Sequence, residues 1–244
     1  MKPFYYLISI LFLLVVAGCD KDRDGSLTLN FKGEYDQDPL VMFDEHLLGT
    51  LPLRFSHLSM YISDIELLKD GGSQHLSDIE LIDLSYNDVT TATAGTSIQF
   101  DNIPADSYTG LRFSIGVPAD LNEQLPADFP STNPLSRTGY YWQAWQSYIF
   151  MKIEGSIETG LAGNFETPFS YHTGTDELYR TFEVTIPAFN ISDGQNEEVN
   201  VHFDYNDMFE GVDIISNPQN HNPQDSVQIN RIVNNLQSGI NISL

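Results

Sequence analysis

The chain has 244 residues, with 34 acidic and 11 basic side chains and a formal net charge of −23 at pH 7. A protein this acidic repels phosphate backbones, so we expect no nucleic-acid partner. Its single cysteine allows no disulfide within the chain, and it excludes zinc ribbons, iron–sulfur sites and other sites built from several thiolates.

The first 18 residues have the pattern of a signal peptide. Lys2 is followed by an apolar run from residue 7 to residue 16, which is too short to span a bilayer, since a spanning helix needs about 20 apolar residues. Residues 15–19 (VVAGC) resemble the lipobox of bacterial lipoproteins, in which the cysteine is lipidated and the chain is cleaved just before it. We therefore predict cleavage after residue 18 and a lipid on Cys19; the alternative is an ordinary secretory signal with a chance cysteine.

Residues 19–26 are polar and charged, which is typical of a lipidated tether. Asp20, Asp22 and Asp24 also match the opening of a calcium-binding loop, but Phe31 stands where such a loop closes with a bidentate glutamate. A solvated tether is therefore the preferred interpretation. Because the protein is acidic, we expect the lipid rather than a basic patch to hold it at the membrane. The predicted location is the cell envelope, at the outer membrane and facing the periplasm or the surface.

From residue 27 onward, apolar and polar residues alternate in short runs, which is typical of strands that bury one face. Gly, Pro, Asn and Asp separate the runs and favour turns. The clearest runs lie at residues 27–31, 58–62, 79–84, 111–117, 149–153, 182–186 and 199–203. The pattern predicts an all-β fold, a β-sandwich of immunoglobulin-like or related type, as one domain over residues 27–244.

Two segments depart from this alternation. Residues 118–137 are rich in proline and polar residues, and we predict a long irregular loop there, of the kind that often carries function. Four apolar residues near the C-terminus have helical spacing: Ile229, Ile232, Val233 and Leu236. They predict a short C-terminal helix with Ser226 at its start and Gly239 at its end.

Catalytic signatures are absent from the sequence. It contains no G-x-S-x-G elbow, no H-E-x-x-H motif and no phosphate-binding loop. Carboxylates are too numerous for any pair to be singled out as an acid and base. We therefore expect a protein that is not an enzyme.

Histidines are the remaining candidate metal ligands: His46, His57, His75, His172, His202 and His221. Each alone is typical of a structural or exposed residue. His202 alternates with Val201 and Phe203, so it projects from the polar face of its strand, beside Asp204. This placement suits a metal ligand with a supporting carboxylate, and it equally suits a solvent-facing side chain.

An aromatic block lies at residues 141–150 (YWQAWQSYIF), followed by KIEG at 152–155 and by His-Thr-Gly at 172–174. A buried aromatic cluster is the simple interpretation of the block. In this order, however, the three segments resemble the MbnP-like family of copper-binding periplasmic proteins and lipoproteins. Weaker resemblance lies at residues 58–65, 108–117, 204–209 and 230–236, so that it extends over nearly all of the chain from residue 27. Two departures are the spacing of the tryptophans, wider by one residue than W-x-W, and Ser147 in place of a glycine.

The resemblance implies a β-sandwich that binds copper through histidines. In some members a tryptophan oxidised to kynurenine joins the site, and a dihaem peroxidase-like partner makes that oxidation. Only His172 carries over from a motif; Trp142 or Trp145 is the candidate for oxidation, His202 is the chosen second ligand and His57 the reserve. Imidazole suits copper. The expected function is copper acquisition or handling by an exported lipoprotein; the alternative is a metal-free interaction module on the same sandwich.

Replacing Cys19 with serine tests the predicted anchor. The hydroxyl cannot take the thioether-linked lipid, so we expect Cys19→Ser to remain uncleaved or to be released from membranes. Metabolic labelling with a fatty acid and fractionation of the cells measure both effects. A Cys19→Ser protein that is still lipid-labelled and membrane-bound would refute the prediction.

Overall fold

The structure is a computed structural model that describes residues 24–160, 162–220 and 227–244. The predicted signal peptide, the lipidation site Cys19 and most of the tether lie outside these ranges, as do His221 and the predicted helix cap Ser226. Within the described ranges, none of the helices has the length and apolar character that crossing a bilayer requires.

Strands make up most of the described chain. In chain order they are β1 (Gly25–Tyr35), β2 (Asp38–Pro39), β3 (His46–Leu48), β4 (Leu51–Lys69), β5 (Gly72–Asp83), β6 (Thr96–Ile103), β7 (Asp106–Ile115), β8 (Tyr141–Trp142), β9 (Ser147–Ile157), β10 (Thr167–Gly174), β11 (Arg180–Ile191), β12 (Asn196–Asp204), β13 (Gln219–Asn220) and β14 (Ile240–Ser243). The helices are α1 (Val89–Ala94), α2 (Ala119–Asn122), α3 (Tyr205–Met208) and α4 (Val227–Gly239).

Among the described residues these strands form two mixed sheets, which confirms the predicted β-sandwich. The smaller sheet has the order β14-β12-β1-β2, with β6 also paired to β1. The larger sheet has the order β11-β7-β4-β9-β10-β13, with β3 and β5 on β4 and β8 on β9. Strands β1 and β12 run parallel although they are far apart in the sequence, so the smaller sheet joins the two ends of the domain.

The main core lies between the two sheets. Leu27, Leu29 and Phe31 of β1 are fully buried there, as are Met151 and Ile153 of β9 in the larger sheet. The alternating side chains of the same strands point to the outer faces of the sandwich, as period-two geometry requires. The outer face of each sheet is therefore a separate surface.

Helix α4 packs against the main core through the four residues that the sequence singled out, all of them buried. Gly239 is the last residue of the helix, as predicted. Glycine is required there because a Cβ would lie 2.8 Å from both the Asp204 carbonyl oxygen and Met208 Cγ. After Gly239 the chain continues into β14, a strand that the sequence pattern did not indicate.

Residues 118–146 cover the outer face of the larger sheet. The irregular loop predicted at residues 118–137 contains short helical pieces, α2 and the 3-10 helices Pro126–Asp128 and Pro134–Ser136, joined by turns. The 3-10 helix Thr138–Tyr140 and β8 follow it. Two of these 3-10 helices begin with proline, whose fixed φ and missing N–H suit a first helical position. A second apolar cluster fills the space between the segment, which contributes Leu135, and the sheet: Tyr61, Ile79, Val117, Leu135, Tyr148 and Phe150.

Buried hydrogen bonds hold this cover in place. The Asn122 amide oxygen accepts from the Tyr148 backbone N–H at 2.8 Å, and its amide nitrogen donates to Asp176 at 2.8 Å. The Ser147 hydroxyl donates to Asn122 at 3.1 Å or to the Tyr148 carbonyl at 2.9 Å, and it accepts from the Thr175 N–H at 2.9 Å. Ser147, which replaces a glycine of the family pattern, thus links residues 118–146 to the larger sheet through hydrogen bonds.

Candidate functional site

Polar side chains from three neighbouring strands meet on the covered face of the larger sheet. Glu154 of β9 is the cross-strand partner of Ser170 on β10 and of His57 on β4. Directly opposed residues on antiparallel strands share a face, with Cβ atoms about 4.5–5.5 Å apart. His172 shares this face because it follows Ser170 by two residues, while Tyr171 between them points into the main core.

His172 is buried, and Glu154 holds its ring. The imidazole N–H at Nε2 donates to Glu154 Oε1 over 2.7 Å, and Ser170 Oγ lies 3.2 Å from the same nitrogen. The side chain of His172 is 11% exposed and that of Glu154 is 37% exposed. A carboxylate in this position fixes the orientation of an imidazole, as it does for histidines that bind metals.

Two stacked tryptophans flank this histidine. The Trp142 ring lies 6.0 Å from the His172 ring at an interplanar angle of 66°, and Trp145 stacks behind Trp142 at 4.9 Å and 10°. Both indoles are half-buried. The structure therefore places the Trp142 ring beside His172, and it places Trp145 against Trp142.

Gly174, the glycine of the His-Thr-Gly segment, makes this arrangement possible. A Cβ at this position would lie 2.8 Å from Trp145 Cζ3 and 2.9 Å from its Cε3, closer than carbon atoms approach. It would also lie 2.7 Å from the Tyr148 carbonyl oxygen. The histidine and the glycine of the segment thus contact the two tryptophans separately, His172 through Trp142 and Gly174 through Trp145.

Three residues of the KIEG segment contribute to the site. Lys152 and Glu154 do so through their side chains, and Gly155 does so because it has none. Lys152 Nζ donates to the Gly139 carbonyl at 2.7 Å and lies 4.2 Å above the Tyr140 ring, which ties the residues just before the aromatic block to the sheet. Burial lowers the pKa of the Lys152 ammonium, and the neighbouring Glu154 carboxylate opposes that shift. A Cβ at Gly155 would lie 2.1 Å from the Arg54 carbonyl, so only glycine fits there.

His57 lies one strand beyond Glu154 on the same face and has its own hydrogen bonds. Its Nδ1 is 3.1 Å from Ser85 Oγ, and its Nε2 is 2.9 Å from Ser59 Oγ. Tyr140 donates to Ser59 over 2.9 Å, so Ser59 connects the His57 ring to the segment that covers this face.

His202, the chosen second ligand, lies elsewhere. It is on β12 of the smaller sheet, where Val201 and Phe203 enter the main core and His202 points to the opposite outer face. Its Nδ1–H donates to Glu34 Oε1 over 2.6 Å. Packed sheets are about 10 Å apart, and His172 points outward from the other one, so the structure does not bring these two histidines together.

Two other histidines lie apart from this site. His46 packs its ring 4.6 Å from that of Tyr35, and burial lowers the pKa of His46. His75 is exposed and lies 3.1 Å from Asp78.

The candidate ligands are of a type that copper accepts, but they are few. Within residues 24–160, 162–220 and 227–244, no three His, Cys, Asp or Glu side chains converge on a common metal position. What converges is one imidazole and one carboxylate, with the imidazole of His57 on the adjacent strand. Imidazole suits copper, zinc and iron alike, so these residues define a candidate metal position without selecting the metal. Glu154 is the member that sequence reasoning missed, although its KIEG segment was noticed.

The comparisons with known proteins agree with this architecture. The MbnP family model matches residues 24–228. Among solved structures, MbnP from Methylosinus trichosporium superposes with a TM-score of 0.54 and 17% sequence identity, over 78% of this chain and 79% of that one. At this identity the likeness shows a shared fold. No curated protein matches the chain.

Adding a methyl group at Gly174 tests the packing of the tryptophans. In Gly174→Ala the new Cβ would displace Trp145, and overpacking of this kind costs about 1–3 kcal/mol of unfolding free energy. Trp142 and Trp145 are the only tryptophans, so fluorescence reports on this site alone, and we expect red-shifted emission with a lower melting temperature.

Gly72→Ala is the matched control, because nothing lies within 4 Å of a Cβ at that position. Unchanged emission and an unchanged melting temperature in Gly174→Ala would show that Trp145 does not pack as described.

Proposed function

The chain belongs to the MbnP family, and from this premise we propose that it binds copper and serves copper acquisition or handling at the cell envelope. The observation that carries the proposal is the buried imidazole of His172, held by Glu154 against Trp142. The site acts by binding rather than by turning over a substrate. Outside the cytoplasm, a site that uses imidazole rather than thiolate suits copper.

His172 is the proposed principal ligand. Glu154 orients its ring through the hydrogen bond at 2.7 Å and supplies negative charge that favours a cation. His57 is the nearest further imidazole on the same face, separated from Ser170 only by Glu154 in the cross-strand register. When bound, copper would supply a centre for one-electron chemistry.

Trp142 is the proposed candidate for oxidation, because its ring is the indole in contact with His172. Trp145 stacks behind it and fixes its plane. Together the two rings limit the access of water to one side of the imidazole, which lowers the local dielectric and influences a bound metal. A dihaem peroxidase-like partner, which the family resemblance implies, would approach from the half-exposed side of this pair.

The lipid on Cys19 is the proposed means of retention at the envelope, with residues 19–26 as the tether. In the structure β1 begins at Gly25, so the last two residues of that segment already belong to the folded domain. The domain is thereby kept close to the lipid surface.

A metal-free interaction module is the second candidate function. It is favoured by one observation, that within the described ranges fewer than three candidate ligands converge. In this case the aromatic cover would serve as a recognition surface and His172 would be a structural residue.

Copper content separates the two candidates. The exported protein is purified without added metal and also loaded separately with Cu(I) and Cu(II), and copper is measured by mass spectrometry. We expect stoichiometric copper in wild type and little in His172→Ala, because the principal ligand is gone. Glu154→Gln keeps the shape but loses the charge, and its affinity should fall about 10–100-fold, as is usual for such supporting residues.

His75→Ala is the matched control, since His75 is exposed and also pairs with a carboxylate, Asp78. Each variant is checked for folding by its thermal transition. His57→Ala, His202→Ala and His221→Ala then search for further ligands, and His202→Ala should retain copper because it lies on the other outer face. Absence of copper in wild type after both loadings would refute the copper proposal in favour of the interaction module.

A further inference from the structure

A second polar constellation lies on the outer face of the smaller sheet, away from the proposed copper site. It is formed by Glu34 on β1, His202 on β12 and Ser243 on β14, three adjacent strands. Tyr35, Val201 with Phe203, and Ile242, which adjoin these residues on the three strands, enter the main core, so the three side chains share the outward face.

The three groups are connected in a defined order. Glu34 Oε1 lies 2.6 Å from His202 Nδ1, and His202 Nε2 lies 3.1 Å from Ser243 Oγ. With Nδ1–H donating to the carboxylate, Nε2 carries the lone pair and accepts the Ser243 hydroxyl proton. This is the order carboxylate, imidazole, hydroxyl by which hydrolases activate a serine, and it is defined by geometry and not by sequence position.

Exposure increases along the same order. The side chains of Glu34 and His202 are 17% and 19% exposed, whereas Ser243 is an exposed residue. The carboxylate and the base are therefore shielded, which strengthens their interaction, while the hydroxyl is open to a reactant.

Amide side chains flank the hydroxyl. Asn200 is the cross-strand partner of Ser243, and Asn241 is the partner of His202 on the same face. The Asn200 amide oxygen accepts from Asn30 over 3.3 Å, which leaves its NH₂ group as a donor. Asparagine amides are among the groups that stabilise the oxyanion formed when a serine attacks a carbonyl.

We propose that Ser243 is a base-activated nucleophile that takes the acyl group of small esters, at a site separate from copper binding. Ser243 Oγ forms a bond to the carbonyl carbon as its proton passes to His202 Nε2. The bond from that carbon to the alcohol oxygen then breaks, and the alcohol leaves with the proton from His202. Water repeats the sequence, which releases the acid and restores the serine. Because the protein is strongly acidic, neutral or cationic esters are the favoured class.

A fluorophosphonate probe tests the activation of the hydroxyl directly. In this reaction a bond forms from Ser243 Oγ to phosphorus, the phosphorus–fluorine bond breaks, and the proton leaves through His202. Peptide mapping by mass spectrometry should find the adduct on Ser243 and not on Ser73, an exposed residue at the start of β5. Loss of a general base typically costs 10²–10⁴-fold in rate, so His202→Ala should label at least about 100-fold more slowly.

Glu34→Gln provides a second variant that keeps the shape of the site, and it should also slow labelling, because the amide cannot stabilise the protonated imidazole. Hydrolysis of p-nitrophenyl acetate by wild type and Ser243→Ala measures turnover, and only wild type should exceed the buffer rate. The thermal transition of each variant shows whether it is folded. Absence of labelling at Ser243, or equal labelling rates in folded wild type and folded His202→Ala, would overturn the proposal.

Discussion

The hydrogen bond between the buried His172 imidazole and the Glu154 carboxylate is the contact around which one face of the molecule is organised. A buried imidazole that loses its hydrogen-bond partner bears the desolvation cost of the unmade bond. The pair lies on an outer sheet face, where water would ordinarily weaken it. The stacked pair of Trp142 and Trp145 lies against this histidine, and Gly174 leaves room for Trp145, so the aromatic block and the His-Thr-Gly segment depend on each other.

The segment of residues 118–146 is what makes the two outer faces of the sandwich different. On the larger sheet it adds a second apolar cluster and shields the polar row beneath it, with Asn122 and Ser147 as the joint. The outer face of the smaller sheet instead presents a ladder of hydroxyl, amide and charged side chains. One fold thus provides a shielded position, where we propose a metal site, and an open position, where we propose a reactive serine.

Much of the fold could be predicted from the sequence because its strands bury one face, so that alternation shows in the residue pattern. Helix α4 was predicted for the same reason, since its buried side has helical spacing. Strand β14 follows Gly239 directly and has four residues, too few to show a period. The short helices of the cover were missed because their apolar residues bury singly, without periodic spacing.

The site was predictable only in part. Motif order pointed to His172 and the tryptophans, and these do come together. Alternation showed that His202 points away from the core, but a sandwich has two outer faces, and the period of one strand cannot say which of them a residue occupies. The link of Glu154 to His172, and that of Glu34 to His202 and Ser243, depend on strand neighbours that only the folded sheets reveal.

Anomalous diffraction at the copper edge from crystals of the copper-loaded protein tests the central claim most directly. We predict a strong peak within bonding distance of the His172 imidazole, beside the Trp142 ring on the covered face of the larger sheet, with Glu154 keeping its hydrogen bond to Nε2. A peak at His202 or His46, with none beside His172, would contradict it.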